Sequence, residues 1–159
     1  MALDNPGILA IYSALTSHAK SLAIFEAVNQ SEPENAPGTG AYCSILLGDG
    51  EPVRSSGLNS TSWRQEFLAR IYVLRRQRPT EATDPAILTA TAALMAAYSA
   101  DFTLSAVPPG LVRNIDLLGA SGTPLSYKPG FLEQDGSTFR VMEITLPLIL
   151  NDAFAQVEA

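Results

Sequence analysis

The sequence has one cysteine and one histidine among its 159 residues. A lone cysteine cannot form a disulfide within the chain, and the chain is long enough to bury a core without such staples. One histidine, one cysteine and scattered carboxylates also cannot supply a zinc site of ordinary ligand spacing. The scarcity of these residues excludes a disulfide framework and argues against a metal centre.

Charge is sparse and weighted toward one sign. Sixteen acidic and ten basic side chains give a net charge of −6, and charged residues make up 16% of a chain that is 47% hydrophobic. A negative chain is not attracted to phosphate backbones or to anionic lipid. So few charges beside so much apolar sequence indicate that partner subunits cover some apolar surface. Composition therefore favours self-assembly.

No apolar run is long enough to cross a bilayer. The strongest lies around Ile144 to Leu150, contains Pro147 and falls far short of the roughly 20 residues required. Residues 1–20 lack a basic segment followed by an uninterrupted apolar stretch, so they do not resemble a secretory signal. We expect synthesis in the cytoplasm and no association with a membrane.

Two segments have the pattern of amphipathic helices. Asn5 or Asp4 precedes Pro6, and Asp84 precedes Pro85, so each site joins a helix-capping side chain to a proline suited to a first turn. Apolar residues then recur at three- and four-residue steps, which predicts one buried side per helix. These residues are Ile8, Ile11, Tyr12, Leu15, Ala19 and Leu22 in the first helix, and Ile87, Leu88, Thr91, Leu94, Met95 and Tyr98 in the second, which should end near Ala100.

The other regular segments are typical of β-strands. Short strands are predicted over residues 23–29, 42–47, 111–118 and 125–133, and Trp63 to Val73 alternates like a long, half-buried strand. Asp135-Gly136 indicates a tight hairpin, after which alternate residues from Met142 to Leu148 share one face. GDGEP at 48–52 also predicts a tight turn, and residues 31–40 and 55–62 are predicted loops.

This order of elements predicts an α+β fold. Runs of strands separated by only two helices favour a mostly antiparallel sheet, with both helices packed on one face and long hairpin and loop extensions. No internal repeat or linker is recognisable, so we expect one domain over residues 1–159.

Residues suited to catalysis are not arranged for it. His18 is predicted in the middle of a helix, and no motif near it suggests a catalytic nucleophile. Cys43 is predicted in an apolar strand, where a cysteine usually behaves as a small buried hydrophobic residue. Nothing in the sequence brings Glu66, Asp116 and Glu143 together for acid-base chemistry. Glu143 is expected instead to pair with an arginine on a neighbouring strand. The sequence does not support an enzyme.

Two other motifs have plain interpretations. GASGTP at 119–124 lacks the ending of a phosphate-binding loop and is expected to be a turn. Arg75, Arg76 and Arg78 are the dense basic cluster of the chain. They are either a solvated strand end or a contact for an acidic partner.

Two stretches carry a resemblance to a known family. DPAILTATAALMAAYSADFTL from Asp84 and VRNIDLLGASGTPLSYKPGFLEQDGSTFRVMEITLPLILND from Val112 resemble the C-terminal half of tail terminator proteins. These proteins belong to long-tailed (siphovirus) bacteriophages, and the likeness is strongest to the actinobacteriophage type. The first helix and the WRQEFLARIYVLRR strand fit the family's order of elements, so the resemblance covers most of the chain.

The resemblance implies a structural subunit of the virion without catalytic residues or cofactor. Such a subunit forms a homohexameric ring at the head-proximal end of the tail tube and stops tube polymerisation. Its implied partners are further copies of itself, the tail tube protein and a head-completion or connector protein. Genomic DNA would pass through the ring without specific binding.

Two groups of residues are expected to have roles in the ring, one in subunit or tube contacts and one in lining the bore. Subunit or tube contacts are predicted for Asp49, Glu51, Arg54, Leu58, Arg75, Arg76 and Arg78. Acidic residues are predicted to line the bore and let DNA slide past like charge, namely Glu32, Glu34 and Asp135 together with Asp49 and Glu51. Deletion of residues 55–62 should then abolish ring formation or tube capping.

Two other classes stay open on the sequence. A different virion component, such as a head-completion protein or a tail tube subunit, would share ring symmetry and acidic composition. A small host ligand-binding protein or enzyme would instead need a deep pocket with convergent polar groups.

Overall fold

The computed structural model describes residues 3–31, 40–53, 60–74, 82–134 and 136–155. Two helices and six strands follow one another as α1 (Asn5–Ser21), β1 (Ala27–Asn29), β2 (Ala41–Val53), β3 (Ser60–Leu74), α2 (Thr83–Ala100), β4 (Val112–Ile115), β5 (Ser126–Gln134) and β6 (Ser137–Ala155). The α+β fold predicted from the sequence is confirmed.

The strands form one sheet in the order β1-β2-β3-β6-β4, and β5 also pairs with β6. Only β1 and β2 are parallel among these pairs, and the other pairings are antiparallel. β3 follows one side of β6 along nearly its whole length. β5 and β4 share the other side, β5 beside the first half of β6 and β4 beside residues 148–150.

Both helices pack on the same face of the sheet, as predicted. Alternate residues of the long strands point to this face, and the predicted apolar face of β6 is confirmed. Tyr98 is fully buried between the helices, and its hydroxyl donates to the carbonyl of Leu15 at 2.9 Å. The centre of this core is formed by Ile11, Leu15, Ala19, Ile45, Phe67, Ala69, Ile71, Ile87, Leu94, Ile144, Leu146 and Leu148.

The tight turn predicted at residues 48–52 is wrong. These residues lie inside β2, where Gly50 pairs with Gln65 and Glu51 pairs with Arg64. The register shifts between Leu47 and Gly50, so a β-bulge replaces the turn. The Gln65 amide nitrogen donates to the carbonyl of Gly48 at 3.0 Å and bridges the bulge. The glycine-rich segment therefore bends a continuing strand.

Two predicted strands are shorter in the structure. The first covers Ala27–Asn29 rather than 23–29, because Ala23 adopts a left-handed φ of 56° and its amide bonds back to the carbonyl of Lys20. The strand predicted over 111–118 ends at Ile115, because Asp116 begins a compact loop. The strand and hairpin predicted around Asp135-Gly136 are confirmed, with Gln134 paired to Ser137 across the turn.

The helix starts differ in their caps. Asp4 caps α1 as predicted, since its carboxylate accepts from the Gly7 amide at 2.9 Å. Asp84 does not cap α2, because the helix already begins at Thr83 and its capping residue is Ala82. The Asp84 carboxylate instead accepts from Arg140 Nε on β6 at 2.9 Å. The acidic residue thus joins the helix start to the sheet.

Candidate assembly surfaces

The structure describes two of the predicted contact residues, Asp49 and Glu51, and both are exposed on β2. The remaining predicted contacts lie outside the described residues, as do the other predicted bore residues. These are Arg54, Leu58, Arg75, Arg76 and Arg78 for the contacts, and Glu32, Glu34 and Asp135 for the bore. Their roles stay predictions, as does the role of residues 55–62. The loop predicted there is wrong for residues 60–62, which lie in β3, while residues 55–59 lie outside the described residues.

Asp49 and Glu51 have different surroundings. Asp49 lies in the bulge of β2 with an exposed side chain. Glu51 forms an ion pair with Arg64, whose side chain is only 7% exposed. Arg64 also donates through Nη1 to the carbonyl of Ser121. Glu51 is therefore part of a network within the subunit, whereas Asp49 is presented outward.

A compact loop follows β4 and is built around one carboxylate. Asp116 accepts hydrogen bonds from the backbone amides of Gly119, Ala120 and Ser121 at 2.7 to 3.0 Å, and from the Ser121 hydroxyl. Burial raises the pKa of Asp116, but these hydrogen bonds lower it more, so the net shift is downward. Gly119 and Gly122 have φ of 80° and 113°, which other residues adopt with strain. The turn predicted at 119–124 is confirmed as a tightly organised loop.

The tip of this loop displays an apolar side chain. Leu118 is 94% exposed, although the loop around it is held by Asp116 and Arg64. Leu117, just before it, packs partly against the helix-side core, while Ser121 lies over Arg64 on the opposite face. The loop therefore wraps around the β4 edge of the sheet, and Leu118 projects there.

The opposite edge of the sheet also presents apolar side chains. β1 covers only Tyr42 to Ser44 of β2, so from Ile45 onward the outer side of β2 has no paired strand within the described residues. Leu47 on this edge is 64% exposed. Leu9 of α1 is 57% exposed. Each edge thus exposes one leucine, Leu118 at the β4 edge and Leu47 at the β2 edge.

Sequence reasoning missed Leu9, Leu47 and Leu118 as surface residues. Leu9 lies outside the helical apolar stripe, a signal that was available in its spacing from Ile8 and Ile11. Leu118 directly precedes a cluster of turn residues, where a large apolar side chain has little chance of burial. The exposure of Leu47 depends on how short β1 is, which no local pattern indicates.

The residues examined for catalysis have structural contacts. His18 Nε2 lies 2.8 Å from Asp101 Oδ2 and ties α1 to the end of α2. Cys43 is fully buried, and desolvation raises its pKa to about 12, so the thiolate is strongly disfavoured. The predicted pairing of Glu143 is confirmed by Arg70 Nη2 at 2.6 Å. Buried Cys43 therefore behaves as the small hydrophobe predicted.

The open clefts on the described surface include one against β5 and one beside α1. One of about 330 Å³ lies between β5 and the face of the sheet without helices, and its charged lining residues include Arg70 and Glu143, which bind each other. The other, of about 440 Å³, lies beside α1 and is lined largely by hydroxyl groups, with Lys20 at its rim. Mutual pairing of the charges leaves the first cleft poorly suited to acid-base chemistry.

The described residues contain neither a metal-binding cluster nor a membrane-spanning helix. No three histidine, cysteine, aspartate or glutamate side chains are grouped there so as to hold a metal ion. None of the helices in that part of the chain combines the length and apolar character needed to cross a bilayer.

The chain was compared with known proteins. No protein-family model and no curated protein matches it. One similar solved structure is a chain in the virion of a native gene transfer agent particle. It has a TM-score of 0.49 and 17% identity, over 90% of this chain and 93% of that one. Another is the sheath/tube terminator of an extracellular contractile injection system in its extended state. It has a TM-score of 0.45 and 14% identity, over 99% of this chain and 62% of that one.

Proposed function

We propose that this protein is a tail terminator, a structural virion subunit that ends the growth of a tail tube. In this role it forms a homohexameric ring on the head-proximal end of the tube and offers a surface to a head-completion or connector protein. The ring takes no cofactor and catalyses no reaction. DNA passes through it without specific binding.

One observation carries the proposal: rigid, exposed apolar surface on an otherwise well-packed subunit. A core spanning both helices and the sheet holds the scaffold, while Leu9, Leu47 and Leu118 remain exposed. Exposed apolar side chains that share a patch favour contact with other proteins. The sequence resemblance from Asp84 to Asp152 supplies the type of assembly.

The charge of the chain agrees with a conduit for DNA. Ten basic and sixteen acidic residues leave a net charge of −6, and Asp49 is exposed at the β2 bulge. A negative wall repels the phosphate backbone and keeps DNA from adhering. We propose that Asp49 and the acidic residues 32, 34 and 135 contribute to such a wall.

Removal of the gene tests the proposal directly. Particles made without the protein should contain tubes longer than normal that do not join heads, as measured by electron microscopy of lysates. A tail tube subunit would leave no tubes when removed, and a head-completion protein would leave tails of normal length. Either result would contradict the terminator role.

Purified components give a second test. Addition of the protein to polymerising tube subunits should shorten the tubes in proportion to the amount added, because each ring closes one growing end. An equal amount of heat-denatured protein is the control. Tubes of unchanged length would contradict capping.

A further inference from the structure

We propose that copies of the chain join head to tail, with Leu118 of one copy packing against the exposed side chains of Ile8, Leu9 and Leu47 of the next. These three side chains are called the α1–β2 patch below. The inference deepens the proposed function and rests on it for the ring in which the contact repeats. The occupant of the patch is a second copy of this chain.

The Leu118 side chain is well suited to burial in a contact between subunits. Four hydrogen bonds to the Asp116 carboxylate and a bond from Arg64 to Ser121 fix the loop, so little conformational freedom is lost when its tip is buried. The side chain itself gains most from burial, because nearly all of it is exposed to water. A rigid loop with an apolar tip is suited to packing against an apolar surface of a partner.

The α1–β2 patch lies on the side of α1 that faces away from α2. The Leu15 carbonyl and His18 contact α2, whereas Thr16 accepts from Gln30 beside β1. Leu9 precedes Thr16 by about two helical turns and so lies on the same side.

Leu47 borders the same side of α1. Tyr12 packs edge-on against Phe67 with ring centroids 5.1 Å apart, and Leu47 is the cross-strand neighbour of Phe67. Phe67 therefore lies between Tyr12 of α1 and Leu47, which places Leu47 beside the part of the sheet that α1 covers. We treat Ile8, Leu9 and Leu47 as one surface for a partner.

Leu47 and Leu118 lie toward opposite ends of the strand order. β2 carries Leu47 near one margin, and β4 leads into the Leu118 loop at the other. A head-to-tail ring requires two different, complementary surfaces on opposite sides of each subunit. A two-fold dimer would instead require Leu118 and Leu47 of each copy to meet the partner at once, which side chains near opposite margins do not favour.

Charge at the two margins is complementary. Asp49 is exposed on β2, while Arg113 of β4 and Lys128 of β5 are exposed at the opposite margin. Glu133 near the hairpin end of β5 and Lys20 near the end of α1 are exceptions. An acidic residue at one rim facing basic residues at the other favours the head-to-tail orientation.

Site-directed crosslinking tests the contact. The double variant Leu47→Cys with Leu118→Cys, treated with a short bismaleimide, should give a ladder of crosslinked oligomers in denaturing gels. Each single variant alone should give none, and an equal mixture of the two singles should give only dimers. Buried Cys43 stays unreactive in folded protein, so the unaltered chain is the control. Both purified protein and assembled particles are treated.

Each other outcome overturns the contact. Crosslinked dimers from Leu118→Cys alone would indicate a two-fold arrangement. No crosslink in either preparation would place the subunit contact elsewhere. Tube length in the same particles tests the terminator role separately. Tubes of normal length without crosslinks would contradict the proposed contact but not the proposed function.

A charge substitution gives an independent measurement. Leu118→Arg should lower the oligomer population at least tenfold by light scattering and leave the unfolding transition unchanged, because the side chain is already in water. Leu88→Arg on the outer surface of α2, where the leucine is also exposed, is the matched control and should associate normally. Equal loss of association in both variants would contradict the specific role of Leu118.

Discussion

The two faces of the sheet are made by the same strands and have different characters. On the face covered by the helices, alternate residues such as Phe67, Ala69 and Ile71 are fully buried and apolar. On the other face the intervening residues include Arg64 and Arg70, held by ion pairs, beside a small cluster around Tyr72 and Phe139. One face therefore supplies stability, and the other fixes the position of surface features.

Alternation in β-strands makes this division possible. The free energy of burying apolar or charged side chains determines which residues each face can hold. Apolar burial contributes about 25 cal/mol per Å² wherever it occurs, so the covered face needs no specific pairing. A charged group is costly to bury unless it is paired. On the open face Arg64 meets this need through Glu51 and the Ser121 carbonyl, and the same contacts anchor the Leu118 loop.

The largest expected effect is on the covered face. Leu94→Ala empties space at a fully buried position of α2 and should lower the free energy of unfolding by about 2–5 kcal/mol, measured by urea denaturation. Leu88→Ala, on the exposed side of the same helix, is the matched control and should change stability by less than about 0.5 kcal/mol. Equal losses in the two variants would contradict the assignment of the core.

An intermediate effect is expected where the open face meets the β4 edge. Asp116→Ala removes the acceptor of three backbone amides and a hydroxyl, so the free energy of unfolding should fall by about 1–3 kcal/mol. Asp49→Asn, at an exposed position of the bulge, is the control and should change stability by less than about 0.5 kcal/mol.

The pH dependence of this loss has a definite sign. The folded pKa of Asp116 lies below the unfolded value of 3.8, so its contribution is complete above that value and disappears as the pH falls through the folded pKa. The difference in stability between the unaltered chain and Asp116→Ala should therefore shrink on acidification. A difference that grows below pH 3.8 would contradict the bonding of the carboxylate.

The covered face was largely predictable from sequence. Three- and four-residue spacing in α1 and α2, and alternation from Met142 to Leu148, indicate most of the side chains that avoid water. Ile8 and Leu88 are exceptions, because both were predicted on the buried side of a helix and both are exposed. The pairing of Glu143 with an arginine followed from the same alternation, because Glu143 points away from the apolar side. The fold class came from these periodic signals and from the order of the elements.

The candidate surfaces were far less predictable, because they depend on contacts between distant segments. GDGEP has the composition of a turn, but pairing with β3 and the amide of Gln65 hold it in a bulged strand. The exposure of Leu47 follows from the three-residue length of β1, and the position of Leu118 follows from a carboxylate and an arginine from another strand. No local sequence pattern indicates such contacts between distant segments.

The smallest expected effect concerns the ion pair on the open face. Arg70 donates to Glu143 through Nε at 3.0 Å and Nη2 at 2.6 Å, yet both side chains retain contact with water. Water and salt screen such a pair, so a double-mutant cycle with Arg70→Gln and Glu143→Gln should give a coupling free energy of about 0.2–1 kcal/mol that declines as sodium chloride is added. A coupling of several kcal/mol, unaffected by salt, would mean that this pair is buried as effectively as the core, and the contrast between the two faces would then be wrong. A value in the expected range would instead indicate that the apolar face opposite this pair contributes more to holding the sheet together than the pair itself does.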